Sequence, residues 1–242
     1  MLQEGADHRG FFAYGADALA EAAALCATGS VLASGRSLRT RAALIAAGRQ
    51  LFAARPIDAV SVDELVVEAG VAKGSFYNHF ADKDGLLAAV VAEVRSGIEA
   101  RIAQMNAGVK DPAVRVVRAI CIYGARVASY PAEGLVLMRN DERGVPLSPL
   151  NEGLVQDLGA GLHTGRMILP SVEAGSLYVV GVAHSVLLAA VRNRDVGRTL
   201  IEAQQLCMLL LRAMGLPYPQ PETIAAQTVD DIFRANDIDR KD

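Results

Sequence analysis

Apolar residues recur at spacings of three and four along nearly the whole chain, a periodicity that helices satisfy and strands do not. Leu44, Ala47, Gly48 and Leu51 repeat in this way, as do Leu87, Val90, Val91 and Val94, so each set falls on one face of a helix. No stretch shows sustained strand alternation between turn signals. The expected fold class is all-α. Breakers divide the chain into helices at 36–55, 61–69, 73–79, 83–106, 112–129, 132–140, 149–164, 171–192 and 198–214. Asp111-Pro112 opens one of them, because proline suits a first helical turn, whereas Tyr130-Pro131 and Leu169-Pro170 impose stops or sharp turns. The stretch 141–149, which holds Gly144, Pro146 and Pro149, is expected to be a loop.

The 242 residues, 52% hydrophobic and 21% charged, suit a folded chain with room for a small module and a larger domain. A formal charge of -3 gives no whole-chain argument for nucleic-acid binding, so charge must be read locally. Arg36, Arg39, Arg41, Arg49 and Arg55 share a segment without acidic residues, whereas residues 1–35 carry Glu4, Asp7, Asp17 and Glu21 against a single arginine. Positive charge is concentrated in one early helix. Cys26, Cys121 and Cys207 are too scattered for a zinc site or a disulfide framework, which points to a reducing, cytoplasmic setting. Cys121, one thiol on an apolar helix, is expected to have no resolving partner and to pack. The run Ser176–Val191 is shorter than a bilayer span and contains His184, so a buried helix and no membrane are expected. Acidic residues interrupt the Ala-rich start, which speaks against a secretory signal.

The segment from Ser61 to Leu87 carries the chemistry. Ser61 and Glu64 have the spacing of a capping box, which starts a helix at Val62. Val62, Leu65, Val66 and Ala69 form its apolar face, and Gly70 supplies the left-handed backbone that ends it. Val71 fills the corner before a second, short helix from Lys73 to His79. Phe76 and Phe80 share one side of that helix, and Lys73, Ser75, Tyr77 and Asn78 occupy others. This is a helix-turn-helix with a polar recognition surface. Asp82 caps the helix that follows, with Lys83 in its first turn.

At these residues the chain resembles the TetR family of transcriptional regulators. The phrase AGVAKGSFYNHFADKDGLL, preceded by the basic helix Arg39–Phe52, is similar to the family hallmark in order and spacing, and Gly70, Lys73, Gly74, Tyr77, Phe80 and Lys83 stand where the family pattern expects them. The resemblance implies a homodimer on double-stranded operator DNA and control by a small, mostly apolar effector. It places DNA contacts at Arg39, Arg41, Ser61, Lys73, Gly74, Ser75, Tyr77, Asn78, His79 and Lys83. Lys73, Ser75 and Asn78 suit base edges, Tyr77, His79 and Lys83 suit phosphates, and the arginines suit an arm along the backbone or minor groove. Beyond Met105 the match is one of helix pattern, apart from the glycine-bounded junction from Gly161 to Arg166.

The domains expected are an N-terminal extension at 1–35, a helix-turn-helix domain at 36–82, an effector-binding and dimerisation body at 83–216, and a tail at 217–242 with a short docked helix. The helices at 171–192 and 198–214 are apolar on more than one face, so Leu177, Val180, Leu188, Leu206 and Leu210 are expected at a dimer interface. Tyr123, Arg126, Met138, Asn140, His163, Met167 and His184 are of the types that line an apolar pocket, and each also suits an ordinary core or surface role. The helix 83–106 is the expected link between pocket and DNA. The histidines show no metal or catalytic spacing and no nucleophile elbow is present, so no enzyme, metal or cofactor is expected. The alternative is a helical DNA-binding protein that dimerises or recruits a partner without a small ligand.

Overall fold

The structure is a computed structural model that describes residues 35–140, 151–193 and 195–238, leaving aside the side chains of 139, 140, 233, 234 and 236–238. The chain divides into two compact units, residues 1–42 and 43–242. Of the first, residues 35–42 are described; they form the opening turns of a helix whose Arg36, Arg39 and Arg41 are exposed. The expectations at 1–34 and 141–150, including Cys26, lie outside the described residues.

Helices are the only regular elements described: α1 (Gly35–Ala54), a 3-10 turn (Ile57–Ala59), α2 (Val62–Ala69), α3 (Lys73–Tyr77), α4 (Lys83–Met105), α5 (Pro112–Ser129), α6 (Pro131–Asn140), α7 (Glu152–His163), α8 (Val172–Asn193), α9 (Val196–Ala213) and α10 (Gln220–Ile238). The all-α expectation holds. Several starts carry a cap that satisfies a free N–H of the first turn. Ser61 and Glu64 form the reciprocal capping box of α2, Asp82 Oδ1 accepts from Gly85 N at 2.7 Å on α4, and Asp111 Oδ1 accepts from Ala113 N at 2.9 Å beside Pro112.

Two hydrophobic clusters organise residues 43–242. The smaller gathers Leu44, Phe52, Val60, Leu65, Phe76, Phe80 and Leu86 around α1 to α4. The larger joins α4, α5 and α7 to α10. Helix α6 belongs to both, because Val136 is buried in the smaller cluster and Leu137 in the larger. Gly134 makes that placement possible: a Cβ there would collide with Val127 and stand 3.0 Å from Val191 Cγ2.

Three findings depart from the sequence expectations. The segment after 216 forms the 19-residue helix α10, which packs on α9 and α5 and buries Ile224, Ala225, Thr228 and Ile232. It docks on the body as expected, but is a long helix where a short one was expected. Helix α8 runs 22 residues and is long and apolar enough by length and composition to cross a bilayer. It is not buried all round: Ser176, Val179, Val186 and Leu187 pack inward while Leu177, Tyr178 and Leu188 are exposed. Finally, Cys121 does have a thiol neighbour. Cys207 of α9 is its neighbour, and the Cys121 thiol together with burial pushes the Cys207 thiol well above its ordinary range.

Candidate DNA-binding module and effector cavity

The turn between α2 and α3 depends on Gly70. At φ 64 it takes the left-handed conformation that side chains with a Cβ avoid. Val71 N then donates to Val66 O at 3.0 Å, closing the end of α2. Helix α3 is anchored by Phe76, fully buried and edge-on to Tyr77 with ring centroids 5.2 Å apart. With Phe76 inside, Lys73, Gly74, Tyr77 and Asn78 are exposed, while Ser75 and His79 are half-exposed. A Cβ at Gly74 would meet nothing within 4 Å, so the backbone there is open to close approach.

The charged groups of the module are engaged with one another. Lys73 Nζ lies 2.7 Å from Asp63 Oδ1, a contact between two exposed side chains that holds the ammonium above its ordinary range. Ser61 Oγ accepts from Glu64 N at 3.2 Å and donates to Glu64 Oε2 at 2.9 Å. Glu64 also accepts from Ser61 N and from Arg55, and these donors hold its carboxyl down at about 2. Lys83, expected at a phosphate, donates through Nζ to Ile57 O at 3.0 Å and Val60 O at 2.7 Å, satisfying carbonyls of the turn that precedes α2.

Helices α4 to α8 line a cavity of about 500 Å³. Leu87, Val91, Ile98, Ile102, Ile120, Leu137, Leu154 and Val179 give it an apolar wall, into which Arg95, Glu99, Arg115, Asn151, Asp157 and His184 bring polar groups. A mostly apolar chamber with a few orienting groups is the usual form of a small-molecule site. Arg115 Nε donates to Asp157 Oδ1 at 2.5 Å, and its Nη1 donates to Asn106 O at 3.2 Å. Burial still raises the Asp157 carboxyl against the pull of that guanidinium. Glu99 is likewise raised by burial, with Arg95 opposing.

Of the pocket residues expected from sequence, Tyr123 and His184 line this cavity. The others do not. Arg126 is turned to Glu133, donating through Nε at 2.9 Å and Nη2 at 2.8 Å, and its guanidinium lies 3.8 Å over the Tyr130 ring. Met138 packs against the larger core, Met167 is buried inside it, and His163 is exposed at the end of α7. The Asn140 side chain lies outside the described residues. Arg95, Glu99, Arg115, Asn151 and Asp157 were missed. For Arg95 and Glu99 the signal was present, because they sit one turn apart between Val91 and Ile102, charged residues interrupting an apolar face.

On the outer face of α8 and α9, Leu177, Tyr178, Leu188, Ile201 and Leu209 are exposed. Two residues expected there are placed elsewhere. Leu210 is 0% exposed, buried in the core of its own chain, and Val180 lines the cavity. Leu206 is half-buried against the same core.

Residues 44–90 match the family model of bacterial regulatory proteins, tetR family. No curated protein matches the chain. Among solved structures the chain is similar to RolR in complex with resorcinol, at 25% identity and a TM-score of 0.54 over 78% of this chain and 94% of that one. It is similar to the TetR family protein CprB from S. coelicolor A3(2), at 25% identity and a TM-score of 0.53 over 81% and 98%. The fold is also that of FadR from Bacillus subtilis in complex with stearoyl-CoA, at 16% identity and a TM-score of 0.62 over 71% and 97%. Residues 44–90 thus match the bacterial regulatory proteins of the tetR family, and the all-helical fold is similar to that of the TetR family protein CprB.

Proposed function

We propose that the protein is a cytoplasmic repressor that binds a palindromic operator as a homodimer and is released when a small molecule enters the cavity. The observation that carries this reading is the joining of the two sites: α4 runs from the module along the cavity wall, and α6 places Val136 in the module's cluster and Leu137 on that wall. The sequence reading had α4 as the sole link; α6 is a second. A ligand that displaces either helix reorients α2 and α3, and linkage requires that DNA weaken the ligand by the same factor, typically 5–150-fold. The likeness to RolR and FadR, each bound to a small molecule, supports the same assignment.

In this reading Lys73 exchanges Asp63 for DNA, Ser75 and Asn78 reach base edges, and Gly74, Tyr77 and His79 meet the sugar-phosphate backbone. Ser61 contributes through the start of α2, and Arg39 and Arg41 along the neighbouring backbone. Lys83 supports the module from within. The exposed apolar face of α8 and α9 becomes the four-helix interface of the dimer, which sets paired half-sites about 34–36 Å apart or wider. The test is fluorescence anisotropy on an operator selected from random DNA, titrated over salt. Lys73→Ala is expected to weaken binding by about 1–3 kcal/mol and Asn78→Ala to alter sequence preference. Unchanged affinity for both Lys73→Ala and Tyr77→Ala would sink the assignment.

A further inference from the structure

The polar groups on the cavity wall are not equivalent. Arg115 is engaged by Asp157 at 2.5 Å and by the carbonyl of Asn106, and Arg95 Nη2 donates to Asn151 Oδ1 at 3.1 Å. Glu99 lies one helical turn beyond Arg95, is half-buried on the wall, and among the described residues its carboxylate accepts no hydrogen bond. A half-buried carboxylate on the cavity wall keeps acceptor capacity for a donor that a ligand brings.

We propose that the effector is an uncharged, largely apolar molecule bearing a hydroxyl, and that Glu99 is the acceptor that orients it. This rests on the reading of the cavity as the effector site. A carboxylate or phosphate would meet guanidinium groups already engaged, beside the like charges of Glu99 and Asp157. An ammonium would meet Glu99 but also Arg95 one turn away and Arg115 across the cavity. Either charge would be buried with an incomplete counter-charge. A neutral hydroxyl satisfies the open acceptor and leaves the charge balance of the wall intact.

Four probes with one apolar body test this: 4-heptylphenol, its methyl ether, 4-heptylbenzoate and 4-heptylbenzylamine. Each is titrated calorimetrically into the full chain, into Glu99→Gln, and into Ala183→Phe, whose ring occupies the cavity. The phenol is expected to bind about tenfold tighter than each other probe, from one charge-assisted hydrogen bond. Its advantage over the ether shrinks in Glu99→Gln, and Ala183→Phe removes binding. The phenol-to-ether ratio in the unmodified chain needs no variant to fold. A phenol no tighter than its ether, or a benzoate that binds tightest, overturns this inference while leaving the effector site standing if Ala183→Phe still blocks binding. Binding that survives Ala183→Phe, or binding by none of the four, overturns the effector-site reading and this inference with it.

Discussion

The Lys83 ammonium donates to the carbonyl of Val60 at 2.7 Å, tying the first turn of α4 to the residue that precedes the Ser61 cap. With the second bond to Ile57 it fixes the 3-10 turn against the helix that leads to the cavity. Lys83→Met keeps the aliphatic stem and removes both donors. It is expected to lower stability to urea by about 2 kcal/mol, the scale of hydrogen bonds from a charged group. A phosphate-binding role alone would leave the midpoint unchanged and lower only the salt slope of DNA binding.

Glu133 is the buried end of a second tie. Its carboxylate holds Arg126 of α5 through two hydrogen bonds and lies 4.0 Å from Arg49 of α1. Arg126→Met strands most of a buried charge and is expected to cost about 2 kcal/mol, below the range for a fully buried pair because Arg126 is partly exposed. Arg49→Met breaks two long contacts, to Glu133 of α6 at 4.0 Å and to Glu93 of α4 at 3.9 Å, and should change stability by less than about 0.5 kcal/mol. Its expected effect is on coupling: the ratio of ligand affinities measured with and without operator should fall. An unchanged ratio would remove the Arg49 contacts from the switch.

The capping box gives the module a defined acid response. Glu64 has its folded carboxyl held at about 2, below the ordinary value of 4.5, first by the Ser61 backbone N–H and then by Arg55. A depressed folded value stabilises the charged form, so the contribution is present above pH 4.5 and is lost as pH falls toward 2. Wild type should therefore exceed Glu64→Gln in stability at pH 6, and the two should converge near pH 2. Ser61→Ala should cost about 1 kcal/mol at neutral pH through the lost cap.

The outer and inner leucines of α8 and α9 should separate cleanly. Leu177→Glu and Leu209→Glu place charge on exposed positions, so each is expected to leave a folded chain that light scattering reports as a monomer. Leu210→Glu buries an unpaired carboxylate in the chain's own core and should unfold it. A folded wild-type monomer at micromolar concentration would contradict the dimer.

Local signals settled most of the secondary structure and the module. The start of α2 follows from Ser61 and Glu64, its end from Gly70, and the inward face of α3 from Phe76 and Phe80, because capping, left-handed backbone and helical period act over a few residues. Which partner a polar side chain takes was decided only in three dimensions. Lys83 had an equally good local reading as a phosphate ligand until residues 23 and 26 positions away supplied carbonyls. Arg126 lines a second cavity beside Tyr130, away from the chamber that holds Tyr123 and His184, and is held there by Glu133, and Leu210 lies in the larger core of its own chain. Periodicity marks a face as apolar but does not say which neighbour covers it, and the cavity as a whole has no sequence signature because its walls are drawn from five helices whose spacing only packing defines.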